Sequence, residues 1–324
     1  MTTTLPEDVQ KVFERFITTE YTTIDATGQP ITWPVTPYYR PGDGAIDITT
    51  GLGYPKKAND AARNPRVSLL FSDPTGSKLE QPCAVLVQGT AEVDDRDLVA
   101  NRERYLRESL EKLPATKSMY PPKPIRGMFN WYFTRIYVYV RPERVFIWQN
   151  GDFTREPELF GSHMEEVRSH HSAEPEIDRP GPAGGRIAWD ERLQELGRRH
   201  RTAVISIVGP DGFPVSCRLE IEPDRAARRI RLGRLPEWLP AQAVKACLCA
   251  HEHDPEFRWQ ANFQVRGDLV ADDGGWSLVP HRLVGGFELP KGKLAAYRAN
   301  FRKMLRFRKI ARRELARRGG RAAA

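Results

Sequence analysis

A chain of 324 residues exceeds one ordinary domain and suits two. Its apolar share of 40% with 7 Trp can build real cores, while no apolar run nears the ~18 residues of a membrane span. The net charge of +8 is local: residues 291–324 hold thirteen Lys or Arg against one acid, Glu314, so the rest of the chain stands at −4.

Residues 1–10 carry Glu7 and Asp8 and no apolar h-region, which argues against a secretory signal. The four cysteines, Cys83, Cys217, Cys247 and Cys249, are few and read as reduced thiols, so a cytoplasmic location is expected. Thr4-Leu5-Pro6-Glu7 followed by Val9, Val12, Phe13, Phe16 and Ile17 predicts a helix. Strands are predicted at Tyr21 to Asp25, Ile31 to Tyr39, Ala45 to Thr50, Val67 to Ser72 and Ala84 to Val93. A charged helix over Asp94 to Leu113 and a Pro-rich loop interrupt them, and strands resume at Trp131 to Val140 and Arg144 to Gln149. Short strands with helices as excursions predict a mainly β, α+β chain built on a small barrel.

Residues 161–185 mix His, Glu, Pro and Gly without apolar periodicity and read as a linker, with His163, His170 and His171 solvated. The pattern then restarts. Gly28-Gln29-Pro30 matches Gly212-Phe213-Pro214 and Ile46-Asp47-Ile48 matches Ile230-Arg231-Leu232, both at an offset of 184 in the numbering. Ser68 to Phe71 pairs with Ala246 to Cys249, and Gly89 with Gly267, at an offset of 178. The organisation predicted is a barrel over 1–160, a linker over 161–185, a degenerate second barrel over 186–290 and a basic helical tail over 291–324.

The chemistry concentrates at one turn of the first copy. Strand Ile46 to Thr50 runs into Thr49, Thr50, a Gly-rich turn, Lys56 and Lys57, a gathering of hydroxyls and cations that suits a phosphate group. The six residues lost between the two offsets fall in this interval. The second copy reads Gly233 to Pro240 there, without paired lysines, so one phosphate seat is expected per chain.

Gly28-Gln29-Pro30 before Pro34-Val35-Thr36-Pro37, Ile46 to Thr50, Lys56/Lys57 with Asn64-Pro65-Arg66-Val67-Ser68, Val87 to Ala91 and the closing Arg141 to Trp148 together resemble the pyridoxamine 5'-phosphate oxidase-like split barrels. That family also contains F420-dependent reductases. The resemblance covers positions 1–160 and implies a cofactor, FMN or alternatively F420, lying in the groove between two paired barrels. It implies phosphate contacts from Thr49, Thr50, Lys56 and Lys57, ring contacts from Trp33, Val35 and Thr36, and weaker contributions from Gln88 and Trp148. The function implied is a flavin-dependent oxidoreductase that passes hydride between the ring and a small conjugated substrate. Alternatives are an F420-dependent reductase and a non-catalytic flavin or haem binder. The two barrels are expected to pair within the chain, with a further homodimer left open.

Cys247, Cys249, His251 and His253 alternate on one strand face, but same-face neighbours stand nearly ~7 Å apart, so all four cannot meet on one ion. No metal is expected. The alignment with Leu69 and Phe71 reads both cysteines as core, and a haem reading would use His251, His253 or His281. The tail, with Leu294, Tyr297, Phe301, Leu305 and Leu315 at near-helical spacing, reads as a helix docked through that stripe with a solvated cationic face. Other readings are a cover over an anionic cofactor tail or an arm for an anionic membrane surface or nucleic acid, the last without any reader motif.

Overall fold

In the computed structural model the described residues are 5–121, 126–161, 189, 191–240, 244–272, 275–285 and 293–319, the side chains of the last segment from 304. The first unit contains α1 (Glu7–Arg15), β1 (Thr19–Ile24), β2 (Pro30–Val35), β3 (Tyr38–Arg40), β4 (Ala45–Gly51), α2 (Lys56–Arg63), β5 (Arg66–Phe71) and β6 (Ala84–Asp94). It continues with α3 (Leu98–Lys112), a short α4 (Asn130–Phe133), β7 (Arg135–Trp148) and β8 (Glu158–Gly161). The second has α5 (Glu191–Arg199), β9 (Thr202–Val208), β10 (Pro214–Asp224), β11 (Arg229–Leu232), β12 (Lys245–His253), β13 (Gln260–Asp272) and β14 (Gly275–Gly285). A last helix, α6, spans Lys293–Arg317. The fold is mainly β with peripheral helices, as its pattern predicts. The predicted linker and its three histidines lie, apart from Gly161, outside the described residues.

The first sheet runs β2-β1-β5-β6-β7-β4-β3, with β8 on β7, and the second closes as β10-β11-β14-β13-β12-β9. The two differ by one interruption. In β10 a continuous strand pairs β9 with its first half and β11 with its second. The equivalent stretch of the first unit is cut at Thr36-Pro37 into β2, which pairs β1, and β3, which pairs β4. Pro37 has no N–H to give a ladder, so the strand breaks there. The hairpins agree in register: Tyr38 faces Asp47 and Glu222 faces Arg231, so the offset of 184 holds for both partners.

A second shared device is a bulge. Gly89 opposes Pro142, and Gly267 opposes Pro280, each beside a register shift. A Cβ on Gly89 would collide with the carbonyl oxygen of Arg141, and one on Gly267 with that of Val279. The bulge also absorbs Pro142, so the two predicted strands 131–140 and 144–149 are one, Arg135–Trp148, preceded by helix α4. Gly89→Ala is expected to cost about 2–4 kcal/mol, read as a lower denaturant midpoint with the same slope. A change under ~0.5 kcal/mol would mean the backbone relaxes freely.

Helix α3 begins later than its charge pattern suggests: β6 runs to Asp94, and Asp97 caps the helix by accepting from the Val99 and Ala100 amides. Val9, Val12 and Phe13 of α1 and Ala58 and Ala61 of α2 bury into the first core with Leu69, Phe71, Val85, Val87, Ile136 and Val138. A second core joins the units. Leu70, Leu86 and Trp148 of the first pack with Val204, Ile205, Leu248 and Val265 of the second.

Candidate functional site

The turn after β4 is closed by its own atoms. Thr50 Oγ1 donates to the Tyr54 carbonyl at 2.8 Å. The amides of Leu52, Gly53 and Tyr54 donate to the carbonyls of Thr134, Trp131 and Gly51. These three N–H groups are therefore spent, which leaves the first amides of α2 and the side chains to meet an anion at this turn.

The paired lysines separate. Lys56 Nζ lies 2.8 Å from Asp60 Oδ2, one helical turn on, and 3.6 Å from Asp25 Oδ2, with the side chain 45% exposed. Lys57 is half-buried and has no carboxylate partner among the described residues; its ammonium lies 5.6 Å from the centre of the Tyr54 ring. Burial, then the positive charge of Arg135, pushes Lys57 down to about 8, opposed by Cys249.

Arg135, paired with Gly51 across β7 and β4, is the other cation. It is 5% exposed, and its guanidinium sits 4.0 Å from the Tyr105 ring centre and 4.2 Å from that of Tyr132. It donates to Tyr105 Oη at 2.7 Å and Tyr54 Oη at 3.4 Å, while Nε has no partner. Burial raises the Tyr54 and Tyr105 hydroxyls, so they stay neutral and supply no countercharge. The side chain of Thr49, by register on the same face as Arg135 and Gly51, makes no hydrogen bond among the described residues. Next along this face, buried Asp47 is already neutralised by Arg104 and by Arg40, whose Nε is 3.1 Å away. Two cations without anions and one free hydroxyl thus flank the turn.

The other predicted residues are placed as follows. Trp33 is half-buried on β2 opposite Tyr21, Thr36 is half-buried just after β2, and Val35 points into the first core. Gln88 is buried and donates to the Pro214 carbonyl at 2.9 Å. Trp148 donates to the Arg155 carbonyl and packs 4.8 Å from Trp238 and 5.0 Å from Phe153. Lys56, Thr50, Gln88 and Trp148 are thus engaged within the protein, while Lys57 and Thr49 are not. Sequence reading misses Arg135; its signal is a lone cation closing the aromatic run Trp131-Tyr132-Phe133-Thr134.

The units meet around a near-twofold axis. Thr22, Thr32, Ser206 and Ser216 form one hydroxyl cluster in which the offset of 184 relates Thr22 to Ser206 and Thr32 to Ser216. Thr32 donates to Ser206 at 2.7 Å, Ser216 to Ser206 at 2.8 Å, and Thr22 lies 3.0 Å from Thr32. Off the axis, Glu20 is fully buried. Its Oε1 lies 2.8 Å from Arg218 and 2.6 Å from His251 Nε2, and Oε2 accepts from Ser72 at 2.9 Å. Thr18 meets His253 at 3.2 Å.

This corrects the reading of the Cys-His strand. Ser68 pairs with Thr22 and Cys247 with Ser206, so Cys247 takes the place of Ser68 and Cys249 that of Leu70, an offset of 179. A one-residue slip changes the face. Cys247, Cys249, His251 and His253 point at the first barrel rather than into the second core: the Thr32 amide meets Cys247 Sγ at 3.4 Å. All four cysteines are buried and free, and among the described residues no group of three or more His, Cys, Asp or Glu is disposed to hold a metal.

No protein-family model matches the chain, and no curated protein does. Among solved structures it is similar to general stress protein 26 from Bacillus anthracis, at 17% identity over 48% of this chain and 97% of that one, TM-score 0.32. It is also similar to an F420 reductase, at 18% identity over 44% of this chain and 98% of that one, TM-score 0.33. A third is a putative pyridoxamine 5'-phosphate oxidase from Listeria innocua, at 16% identity over 44% of this chain and 95% of that one, TM-score 0.30.

Proposed function

We propose that the first barrel binds one phosphate-bearing flavin, FMN in the first instance and F420 as the alternative, and that the protein is an oxidoreductase acting on a small conjugated substrate. The observation that carries this is the pair Lys57 and Arg135, buried or half-buried cations with no carboxylate among the described residues. Burying unpaired charge is costly, and a dianionic phosphate beside both would offset it. The residues present therefore fit the group that the sequence resemblance implies.

In this reading Lys57 supplies a point charge to the phosphate, and Thr49 a hydroxyl. Arg135, held against the rings of Tyr105 and Tyr132, adds charge at a fixed place and offers its free Nε–H. Trp33 and Thr36, both half-buried, would contact the ring. A bound flavin supplies hydride transfer; the chain supplies position and exclusion of water. The second loop offers no equivalent. Arg234 pairs with Glu237 at 3.1 Å and both are exposed, while Leu235 and Leu239 are buried.

Absorbance and mass spectrometry of the purified protein, before and after reconstitution, test the reading. One flavin or deazaflavin per chain is expected. A Soret band, two equivalents per chain, or no uptake of either cofactor would defeat it. Reduction of the bound cofactor with substrate turnover separates an enzyme from a carrier.

A further inference from the structure

From residue 304 on, the C-terminal helix is anchored on one side and exposed on the other. Met304, Phe307, Ala311 and Leu315 pack on the first core, and Phe307 stacks on Trp131 at 5.1 Å. The fit is close at Gly53, where an added Cβ would come 2.9 Å from both Phe307 Cβ and Trp131 Cε3. Arg318 pairs with Asp95 at 2.6 Å and donates to Asn59, as does Arg317. Of the predicted stripe, Leu315 docks and Leu305 does not, being 50% exposed; the side chains of Leu294, Tyr297 and Phe301 lie outside the described residues.

At about 100° per residue Leu305, Lys309, Arg312 and Ala316 form a line on the side opposite Phe307, flanked by Arg306 and Arg313. All six are exposed. Arg306, Arg308, Lys309, Arg312 and Arg313 have no ion pair among the described residues. The helix's one acid, Glu314, is taken by Arg317 and Arg318.

We propose that this outward face docks the protein onto an acidic phospholipid bilayer. Charge complementarity is the first argument: the cations are unpaired among the described residues, are gathered along about 10 Å of α6, and project from a body of opposite net charge, so this face is drawn to an anionic surface. The second is Leu305, a bare apolar side chain centred among cations. It gains by entering the headgroup boundary while Lys and Arg stems reach the phosphates. A nucleic-acid backbone would satisfy the charges but give Leu305 nothing. Because α6 is already fixed by its inner stripe, it lies on the surface instead of inserting. No described helix is long and apolar enough to cross a membrane.

The test is sedimentation of the full chain with vesicles of about three parts neutral to one part anionic phospholipid, against neutral vesicles and a short RNA. Binding to the anionic vesicles, lost at high salt and at least ~10-fold weaker to neutral ones, is expected. Lys309→Glu/Arg312→Glu/Arg313→Glu is expected to weaken it by about 100-fold without moving the melting temperature, because these side chains are exposed and make no ion pair among the described residues. Leu305→Ser is expected to weaken vesicle binding about fivefold and leave any RNA binding unchanged. No affinity for anionic vesicles, indifference to Leu305→Ser, or tighter binding to RNA than to vesicles would each overturn the proposal. The inference does not depend on the flavin reading, and its binding assay needs no cofactor.

Discussion

Lys57→Met is expected to weaken binding of a phosphate-bearing flavin by about 30-fold or more, while Lys56→Met changes it by less than ~3-fold. The asymmetry follows from their partners. Lys56 is exposed and already paired with Asp60 and Asp25, whereas Lys57 is sheltered and free. Truncating a charge that meets a ligand inside a poorly hydrated site typically costs ~2–5 kcal/mol; losing an exposed one costs little. Lys57→Met is also expected to stabilise the cofactor-free protein, since it removes an unpaired cation. The pH dependence separates this from a packing effect. Lys57 is pushed from 10.5 down to about 8, so above pH 8 the free protein loses the charge that the phosphate needs. The dissociation constant should then rise by up to about tenfold per pH unit above 8. In linkage terms, a depressed folded-state value means stability fully present above 10.5 and lost as pH falls through about 8. The empty protein should therefore gain stability from pH 8 towards 10.5, and saturating flavin should abolish that gain. Isothermal titration of both variants from about pH 7 to 9.5 measures it. A flat profile, or equal losses for the two lysines, would remove Lys57 from the site.

The lysine pair illustrates what is legible in the sequence and what is not. A Lys followed by Asp at i+4 is a readable helix pair, and spacing alone assigns Lys56 to Asp60. Arg135 is not readable as a neighbour of this turn, because the long stretch of chain between it and Gly51 is closed only by the β4–β7 ladder. The repeat is legible where turns and hairpins punctuate it, and Gly28/Gly212 and Ile46/Ile230 hold their offset in three dimensions. It fails by one residue at β12, and the cause is physical. Leu69-Leu70-Phe71 is buried on both faces, one towards its own core and one towards the second barrel, so its hydrophobicity carries no phase. Burial patterning would correct such a slip in a half-exposed strand; here it leaves no trace. The slip is what assigns two seam cysteines to the core. Pro142 misleads in the opposite way, since proline signals a strand end except at a bulge, and Gly89 marks one.

Removal of Glu20 has the other large expected effect, on the joint between the barrels. Glu20→Ala leaves Arg218 and His251 facing a cavity without this carboxylate, and Ser72, which still accepts from Arg218 Nε at 3.0 Å, without the acceptor for its own hydroxyl. Breaking a buried ionic group from one side costs ~3–5 kcal/mol, which for a cooperative unit of this size lowers the melting temperature by about 10 °C. Glu20→Gln keeps the shape and one acceptor oxygen and should lose roughly half as much. The near-twofold symmetry shows that the charge is not what the position requires. Val204 is the counterpart of Glu20 at the offset of 184, and it is fully buried with Cys249 across from it. Its partner on the other side is Arg218, whose guanidinium turns away to Glu20, so an apolar residue fits this place when the cation beside it is engaged elsewhere. Glu20→Val together with Arg218→Leu and His251→Val should recover most of the stability lost in Glu20→Ala, because a satisfied apolar contact replaces a broken ionic one. Thermal and urea melts of the single and triple variants decide the matter. A drop under ~2 °C for Glu20→Ala would mean that the network is solvated, and no recovery in the triple variant would mean that the charges themselves specify how the barrels pair.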